Sequence, residues 1–215
     1  DSAEVSEKFS DQYWTGNASL EWQMSTQQSF YATLARGVRA GGVNASLSST
    51  LLALASEIDV TPYASRTRFN EEIVLNRELG WRLRSTDGRL RAGLAVFSMD
   101  RDDQQVKGSL VIPRADGSTS FTDFTDNAAT GTNRGLEFAV DWLSSERLTL
   151  NLAIGRLEAE FDEYINVDGT RLSGRDQPQA PAWQYRANAT WRLSAKLSAS
   201  LEATGRDAFY LSDRH

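Results

Sequence analysis

The sequence of 215 residues lacks cysteine, has a single histidine and contains no long apolar run. Without cysteine, these residues cannot form a disulfide, a thiol nucleophile or a thiolate metal site. The one histidine is His215, the last residue, so a histidine-based catalytic triad or a histidine-rich metal cluster is excluded within this segment. No stretch approaches the ~20 apolar residues that a membrane-spanning helix needs.

An excess of positive charge is also missing, since 23 basic residues stand against 29 acidic ones and the net charge is −6. A nucleic-acid partner selects a basic surface and is therefore not expected. The first ten residues, DSAEVSEKFS, have neither the basic nor the apolar region of a signal peptide. We therefore expect the interior of a longer chain, or a mature or cloned segment of one.

What the sequence does contain is alternation of apolar and polar residues with a period of two. This pattern predicts β-strands, because on a helix the same polar residues would encircle the surface. The eight alternating segments are Tyr13–Met24, Ser29–Arg36, Glu72–Arg84, Leu90–Val96, Leu136–Trp142, Leu148–Ile154, Trp183–Leu193 and Leu197–Thr204.

The connections between these segments differ in length in a regular way. Four are short (Ser25–Gln28, Ser85–Gly88, Ser144–Arg147, Ser194–Lys196) and three are long (roughly Gly37–Asn70, Met99–Asn133, Asp162–Ala182). Short and long connections alternate strictly, as in outer-membrane barrels with tight turns on one side and extended loops on the other. The sequence predicts an all-β, antiparallel up-and-down meander of about eight strands.

The tryptophans fit the same arrangement. Four of them end an alternating run just ahead of a short turn, and the other two lie eight residues before a turn-side tryptophan. Eight residues of a tilted strand span roughly 20 Å, close to the ~25 Å apolar band of a membrane barrel. Indole rings settle where hydrocarbon meets water, which predicts a membrane girdle of two belts. The girdle residues are Trp14, Trp22, Trp81, Trp142, Trp183 and Trp191.

Two features do not fit a simple apolar face. Arg77 lies on the apolar side of its strand, where lipid would tolerate it only near an interface. After Gly155 the apolar residues change parity, with Leu157, Ala159 and Phe161 now odd-numbered. Either a β-bulge or the exit of the strand from the membrane would explain this change.

The stretch YATLARGVRAGGVN (Tyr31–Asn44) resembles a barrel strand of the TonB-dependent receptor family, with valines at Val38 and Val43 in place of the usual aromatic residues. Further stretches similar to that family follow in order: Glu72–Gly80, Phe97–Val106, Asn127–Glu137, Gly155–Tyr164 and Gly174–Pro181. The resemblance implies a 22-stranded outer-membrane barrel closed by a plug domain that contacts the TonB complex. By this resemblance, residues 1–215 form one partial barrel domain from the C-terminal half, without the plug and the last strands.

Candidate contact residues follow from this arrangement. Arginines in a long outer loop could pair with an anionic iron chelate, so Tyr63, Arg66 and Arg68 are candidate ligand contacts. Polar residues on the inward side would face the lumen or the plug; the candidates are Glu78, Glu137, Asp141, Arg186 and Asn188. Acidic clusters at Asp100–Asp103, Glu158–Glu163 and Asn166–Gly169 could ligate Ca²⁺, but none has EF-hand spacing, and no metal or cofactor is expected.

The resemblance implies a receptor of the bacterial outer membrane that takes up a scarce ligand. A ferric siderophore is the first candidate because it is the most frequent in the family, and haem, cobalamin and saccharide receptors share the same barrel pattern. Its partners would be outer-membrane lipid and lipopolysaccharide, its own plug, the TonB complex and a small-molecule ligand. The alternative is a complete small barrel with a structural or adhesive role, because eight strands can close on their own. An enzyme is not expected, since the acidic residues are scattered without a convergent partner.

Overall fold

The computed structural model describes residues 9–166 and 169–212. Its elements are β1 Gly16–Gln23, β2 Gln28–Arg39, β3 Gly42–Val43, α1 Ala45–Leu54, a 3₁₀ helix Thr61–Thr67, β4 Arg68–Phe69, β5 Glu72–Arg84, β6 Leu90–Pro113, β7 Thr119–Ser145, β8 Leu148–Tyr164, β9 Trp183–Arg192 and β10 Ser198–Arg206. Eight of the strands form one antiparallel sheet in the order β1-β2-β5-β6-β7-β8-β9-β10. This is an up-and-down meander, and β1 does not pair with β10 in the described part of the chain, so the sheet is open.

All eight predicted segments are strands of this sheet, and the prediction of a meander is confirmed. The boundaries differ at the start of the chain. β1 begins at Gly16 instead of Tyr13, so Trp14 lies just before the strand, and β2 continues to Arg39. The four short connections are tight turns; in one of them Gly88 has a φ of 69°, a conformation that favours glycine.

The predicted long loop Met99–Asn133 is wrong. β6 and β7 have 24 and 27 residues and continue pairing up to Pro113 and Thr119, so only a short turn around Gly117 separates them. The polar residues that suggested a loop are compatible with strand because each strand satisfies the backbone hydrogen bonds of the other. The pairing shifts register between Arg101 and Gln105, and Asp103 has a φ of 51° there, which marks a β-bulge at the base of this long hairpin.

The hydrophobic core lies on the long-connection side of the molecule, away from the alternating runs. Helix α1, in the first long connection, packs against the upper part of the β6–β7 hairpin. One buried cluster contains Leu47, Leu51, Leu54, Leu110, Ile112 and Phe124, and a second contains Ala129, Phe161, Tyr164 and Leu172. No helix among the described residues is long and apolar enough to cross a membrane. Within the alternating runs, by contrast, Leu20, Leu79 and Leu201 are 73%, 65% and 75% exposed.

The parity change after Gly155 is not a bulge at that point. β8 pairs with β7 without interruption from Gly155 to Phe161, and the nearest register shift lies further on, between Thr130 and Gly131 of β7. Side chains of β8 therefore continue to alternate between the same two faces of the sheet after Gly155. What changes is the face on which the apolar residues lie. Ala159 and Phe161 lie on the polar side of the sheet and are both buried, Phe161 within the second cluster. This agrees with the second explanation, in which the strand continues beyond an apolar layer.

The packing of α1 yields a first prediction. Ile112 is fully buried against α1, whereas Val111, its neighbour on the other side of the hairpin, is 52% exposed. We expect Ile112→Ala to weaken the docking of α1 by about 2–4 kcal/mol, because it leaves a cavity in the cluster. Hydrogen exchange of residues 45–54 in the intact protein measures this docking. Exchange should rise markedly for Ile112→Ala and stay near wild type for Val111→Ala; equal exchange in both variants would contradict the packing described.

Candidate functional site: a polar wall behind an apolar face

Strand register divides the eight-stranded sheet into two faces, since directly paired residues of antiparallel strands point to the same side. One row across the sheet contains only apolar residues on seven strands, and we call it the central row: Trp22, Phe30, Trp81, Leu94, Phe138, Ile154 and Tyr185. We call the side of the central row the apolar face, and the opposite side the polar face. No described segment forms a layer over the apolar face, so this face must contact something else in the working protein.

The turn-side tryptophans cross the apolar face along a diagonal. Trp22 and Trp81 lie in the central row, Trp142 lies four residues closer to the turns than Phe138, and Trp191 lies six residues closer than Tyr185. Six residues at about 3.3 Å give roughly 20 Å, over six interstrand steps of about 4.8 Å, or roughly 29 Å. The diagonal therefore makes an angle of roughly 35° with the rows, which is close to the 35–45° tilt of strands in outer-membrane barrels.

The opposite boundary of the apolar face follows a parallel diagonal. Trp183 pairs with Arg156, two residues from the central row, whereas Arg36 on β2 lies six residues from it on the same side. Trp14 extends this line, because its ring lies 4.4 Å below the Arg36 guanidinium. Two parallel boundaries on tilted strands delimit a slab roughly 20 Å thick. The membrane role of the six tryptophans stays a prediction, and the structure places them along these two boundaries.

Arg77 lies close to the second boundary. Its guanidinium is 2.5 Å from the Asp100 carboxylate, which is on the same face and further from the turns. The side chain is half exposed and points away from the most apolar rows. The exposed arginine that did not fit the alternating pattern therefore has an acidic partner, as a charge near an interface requires.

The polar face carries a groove of about 810 Å³ in its turn-side half. The strands beneath it carry small residues, including Ala95, Ala139, Ala153 and Gly155. Glu137 lies among them, in the same row as Ala95 and Gly155. Tyr31 and Arg82 line one end of the groove, and Gln184, Arg186 and Arg206 line the other. Tyr31 lies directly over Gly80, where any side chain would collide with the ring. A groove with cationic ends and a central carboxylate can hold a polar segment or an anionic group.

The five predicted lumen residues all lie on the polar face, in separate pairs instead of one site. Glu78 accepts a 2.7 Å hydrogen bond from the Tyr31 hydroxyl, and Asp141 accepts a 2.6 Å bond from the Asn151 amide. Arg186 donates to Glu202 at 2.9 Å, and Asn188 accepts from the Thr190 hydroxyl at 3.1 Å. Only Glu137 and Arg186 share the groove. Their contact with a plug or a ligand stays a prediction.

A buried polar cluster that the sequence analysis missed lies at the other end of the polar face. Glu72 is 2% exposed, and its Oε1 accepts hydrogen bonds from Nε and Nη2 of Arg101 at 2.8 and 2.5 Å. Its Oε2 accepts the backbone N–H of Gln105 at 3.0 Å and lies 3.9 Å from the Arg39 guanidinium. A buried carboxylate is stable only with such partners. The only sequence signal was a glutamate at the first position of a strand.

The Glu72 cluster joins segments that are distant in sequence. The Gln105 amide donates to the carbonyls of Ala40 and Asn70, both in the first long connection, at 2.9 Å each. Arg101 donates to the Gln177 side chain at 3.3 Å, and Gln177 in turn donates to the Glu160 carbonyl at 2.8 Å. The cluster therefore attaches the first and third long connections to the sheet.

Three buried acceptor atoms on β5, β6 and β7 have no partner among the described residues. They are the buried side-chain oxygens of Asn76, Gln104 and Asn133. Asn76 and Asn133 flank Met99 in one row of the polar face. Buried acceptors need a donor, so this part of the polar face is suited to hydrogen-bond donors from water, a ligand or another protein segment.

The three candidate ligand contacts lie near α1. Tyr63 packs against the first buried cluster, and the Arg66 guanidinium lies 5.6 Å from the Phe124 ring centre and 3.6 Å from an Asp126 oxygen. Arg68 is exposed in β4. Tyr63 and Arg66 thus contribute to holding the connection on the hairpin, and ligand contact by all three stays a prediction.

The acidic clusters do not converge. Among the described residues, no three His, Cys, Asp or Glu side chains are close enough to hold a metal ion. Asp168 and His215 lie outside the described residues. At the hairpin tip the Ser118 hydroxyl, helped by the Ser118 N–H, lowers the pKa of Asp116, and hydrogen bonding to Glu57 raises the pKa of Arg114. These groups therefore remain charged near neutral pH.

Known proteins with this architecture match almost the whole chain. A family model described as TonB dependent receptor-like, beta-barrel matches residues 1–214. The ferric yersiniabactin uptake receptor from Yersinia pestis is similar in structure, with a TM-score of 0.67 and 15% identity over 93% of this chain and 26% of that one. The siderophore receptor PiuA from Acinetobacter baumannii has a TM-score of 0.64 and 16% identity, over 91% of this chain and 26% of that one. The chain spans about a quarter of the length of these structures. No curated protein matches the sequence.

The Glu72 cluster yields a second prediction. Glu72→Gln removes the charge that compensates Arg101 and should destabilise the region by about 2–3 kcal/mol, because it leaves a partly buried guanidinium without its anion. Glu71→Gln is the matched control, since Glu71 makes the same charge change one residue earlier and outside the cluster. Limited proteolysis of the intact protein between residues 39 and 72 should accelerate strongly for Glu72→Gln alone. Equal cleavage of both variants would show that the cluster does not hold the first connection.

Proposed function

Because the chain belongs to the TonB-dependent receptor-like β-barrel family, we propose that it forms part of the wall of an outer-membrane receptor that takes up a scarce ligand. The family and its structural neighbours are transport receptors and not enzymes. The observation that carries the proposal is the open sheet itself, with an apolar slab bounded by parallel tilted diagonals on one side and a polar wall on the other.

The open sheet also favours this proposal over the alternative of a complete small barrel. The outer edges of β1 and β10 have no strand partner among the described residues. Unpaired edges inside a hydrocarbon layer would leave backbone groups without hydrogen bonds, which the membrane does not tolerate. Further strands of the parent barrel would satisfy both edges, in agreement with a chain that covers about a quarter of its structural neighbours.

In this proposal the polar face lines the lumen and contacts the plug domain of the same receptor. The three acceptor oxygens without partners and the groove with Glu137 at its centre would receive polar groups of the plug. The long connections lie outside the cell, where they would capture the ligand, and the TonB complex would drive movement of the plug. Outer-membrane lipid and lipopolysaccharide would cover the apolar face, and no nucleic acid is involved.

We infer that the ligand is a ferric siderophore. Structural neighbours include a ferric yersiniabactin uptake receptor, the siderophore receptor PiuA and a ferric preacinetobactin receptor, at identities of 15%, 16% and 18%. Arginines near α1 support an anionic ligand, because a guanidinium binds carboxylate or catecholate oxygens in pairs. Arg66 would exchange the Asp126 carboxylate, which is 3.6 Å away, for the chelate, and exposed Arg68 would approach it from β4.

The third prediction tests this function in the full-length receptor. Cells that produce it under iron limitation should grow on at least one ferric siderophore of a panel and should import the labelled iron. Removing the TonB complex should abolish import and leave binding at the cell surface intact. Growth on none of the panel, or import that is independent of TonB, would contradict the proposal.

Variants of the same receptor test the contact residues. Arg66→Gln with Arg68→Gln should weaken siderophore binding about tenfold or more, because two charge-assisted contacts are lost. Arg89→Gln with Arg147→Gln makes the same charge change in the turns at the opposite end and should leave binding unchanged. Unaltered binding by the Arg66 and Arg68 variant would exclude this site while leaving the transport proposal standing.

A further inference from the structure

The apolar face has charge at only one of its two ends. On the turn side of the β-bulge, its four cationic strand residues are Arg36, Arg77, Arg134 and Arg156, and all four lie between the central row and the long connections. At the turn-side boundary the apolar face ends in tryptophans, without a basic strand residue. A hydrocarbon slab alone would not require this difference, so the guanidinium groups point to an anionic partner at one interface.

A groove on the apolar face reaches this cationic end. Its volume is about 850 Å³, within the range of small-molecule pockets (~300–1,000 Å³). Aliphatic side chains line most of it, among them Leu20, Leu34, Leu79, Val96 and Leu136. Arg77, Ser98, Arg134 and Arg156 line the end nearest the long connections, together with the carboxylate of Glu158. The groove thus offers an apolar channel that ends in hydrogen-bond donors, which matches a lipid with an acyl chain and an anionic head.

The arginines are placed to share one anion. Arg156 pairs with Leu136, which lies two residues from Arg134 on β7. The two arginines are therefore diagonal neighbours, and such strand positions are about 7–8 Å apart. Ser98 lies between Arg77 and Arg134 in one row. Arg134 is exposed, and neither Arg134 nor Arg156 makes a side-chain hydrogen bond or ion pair with a described residue; the Arg156 guanidinium lies 5.5 Å from the Trp183 ring centre. Two arginines on strand positions with this spacing can direct both guanidinium groups at one phosphate.

Acidic residues at the same end set a limit on the attraction. Glu158 pairs by register with Arg134, and Asp100 compensates Arg77. Glu158 makes no ion pair within 4.0 Å among the described residues, so it lowers the local potential without occupying the Arg134 guanidinium. Asp102 and Glu160 lie further along the same face, so the positive potential is confined to the rows that contain Arg134 and Arg156.

We propose that this groove binds a phosphorylated glycolipid of the outer leaflet, lipopolysaccharide, with an acyl chain along Leu79, Val96 and Leu136 and a phosphate between Arg134 and Arg156. The site rests on the proposed function to the extent that the apolar face lies in an outer membrane. It adds a defined lipid site to that function, because lipid contact elsewhere on the apolar face needs no such charge.

The fourth prediction is tested by titrating the purified, delipidated full-length receptor with deep-rough lipopolysaccharide. Arg134→Gln with Arg156→Gln should weaken binding about tenfold, and Arg134→Lys with Arg156→Lys should lie between this variant and wild type, because lysine keeps the charge and loses the fork. Glu158→Gln should strengthen binding about two- to threefold, since it removes the repulsion. Arg89→Gln with Arg147→Gln is the control of equal charge.

The lipid itself provides the second arm. Wild-type receptor should bind dephosphorylated lipopolysaccharide about tenfold more weakly than the native form, and phosphatidylethanolamine more weakly still. The heat-induced gel shift of folded barrels checks that each variant is folded. If a variant does not fold, the comparison of the different lipids on the wild-type receptor still decides the question. Equal binding of phosphorylated and dephosphorylated lipid, or no change on replacing the two arginines, would overturn the proposal. Iron import by the same variants is expected to persist, so loss of import would instead bear on the proposed function.

Discussion

The continuous hydrogen-bond register between neighbouring strands is the constraint on which the rest of the structure depends. From β1 to β10 each strand of the large sheet pairs with the next in chain order, so every side chain is assigned to a face by its position alone. A strand that crosses hydrocarbon must have all of its backbone groups paired. The same register aligns the apolar residues of neighbouring strands in rows. Because the strands are tilted, each boundary of the apolar face shifts along the strand direction by about one residue from one strand to the next.

The location of the core follows from this constraint. An apolar face without a packed layer over it cannot hold the described part of the protein together, so cohesion must come from elsewhere. The two buried clusters around Ile112 and Phe161 lie beyond the slab, where β6, β7 and β8 continue as a taller wall. The Glu72 carboxylate adds a polar junction that fixes two connections to the same wall. The sheet within the slab and the part on the long-connection side are therefore stabilised by different interactions.

The sequence predicted the strands well because an apolar environment on one side forces a strict period of two, as in the Leu79–Trp81–Leu83 run. The tryptophan positions and the four short turns followed from the same pattern. Above the slab this pattern weakens, since both faces of the β6–β7 hairpin meet protein or water, and residues such as Gln104 and Thr122 no longer distinguish strand from loop. The Glu72 cluster was not predictable at all, because it joins positions 72, 101, 105 and 177, which only the folded sheet brings together. The sequence predicted which residues lie on the polar face. It did not predict the groove there, because the groove depends on which small residues lie beside the charged ones on neighbouring strands.

The most direct test of the central claim is the accessibility of spin labels in the full-length receptor reconstituted in lipid. These residues contain no cysteine, so single substitutions along β1, β5, β8 and β9 introduce unique labels within the segment. Labels at Leu79→Cys and Leu150→Cys should collide with lipid-soluble oxygen, and labels at Glu78→Cys and Asn151→Cys should not. The lipid-exposed window should also shift by about six residues between β1 and β9, as the two diagonals require. Equal exposure of neighbouring positions, or a window at the same row on all strands, would contradict the account.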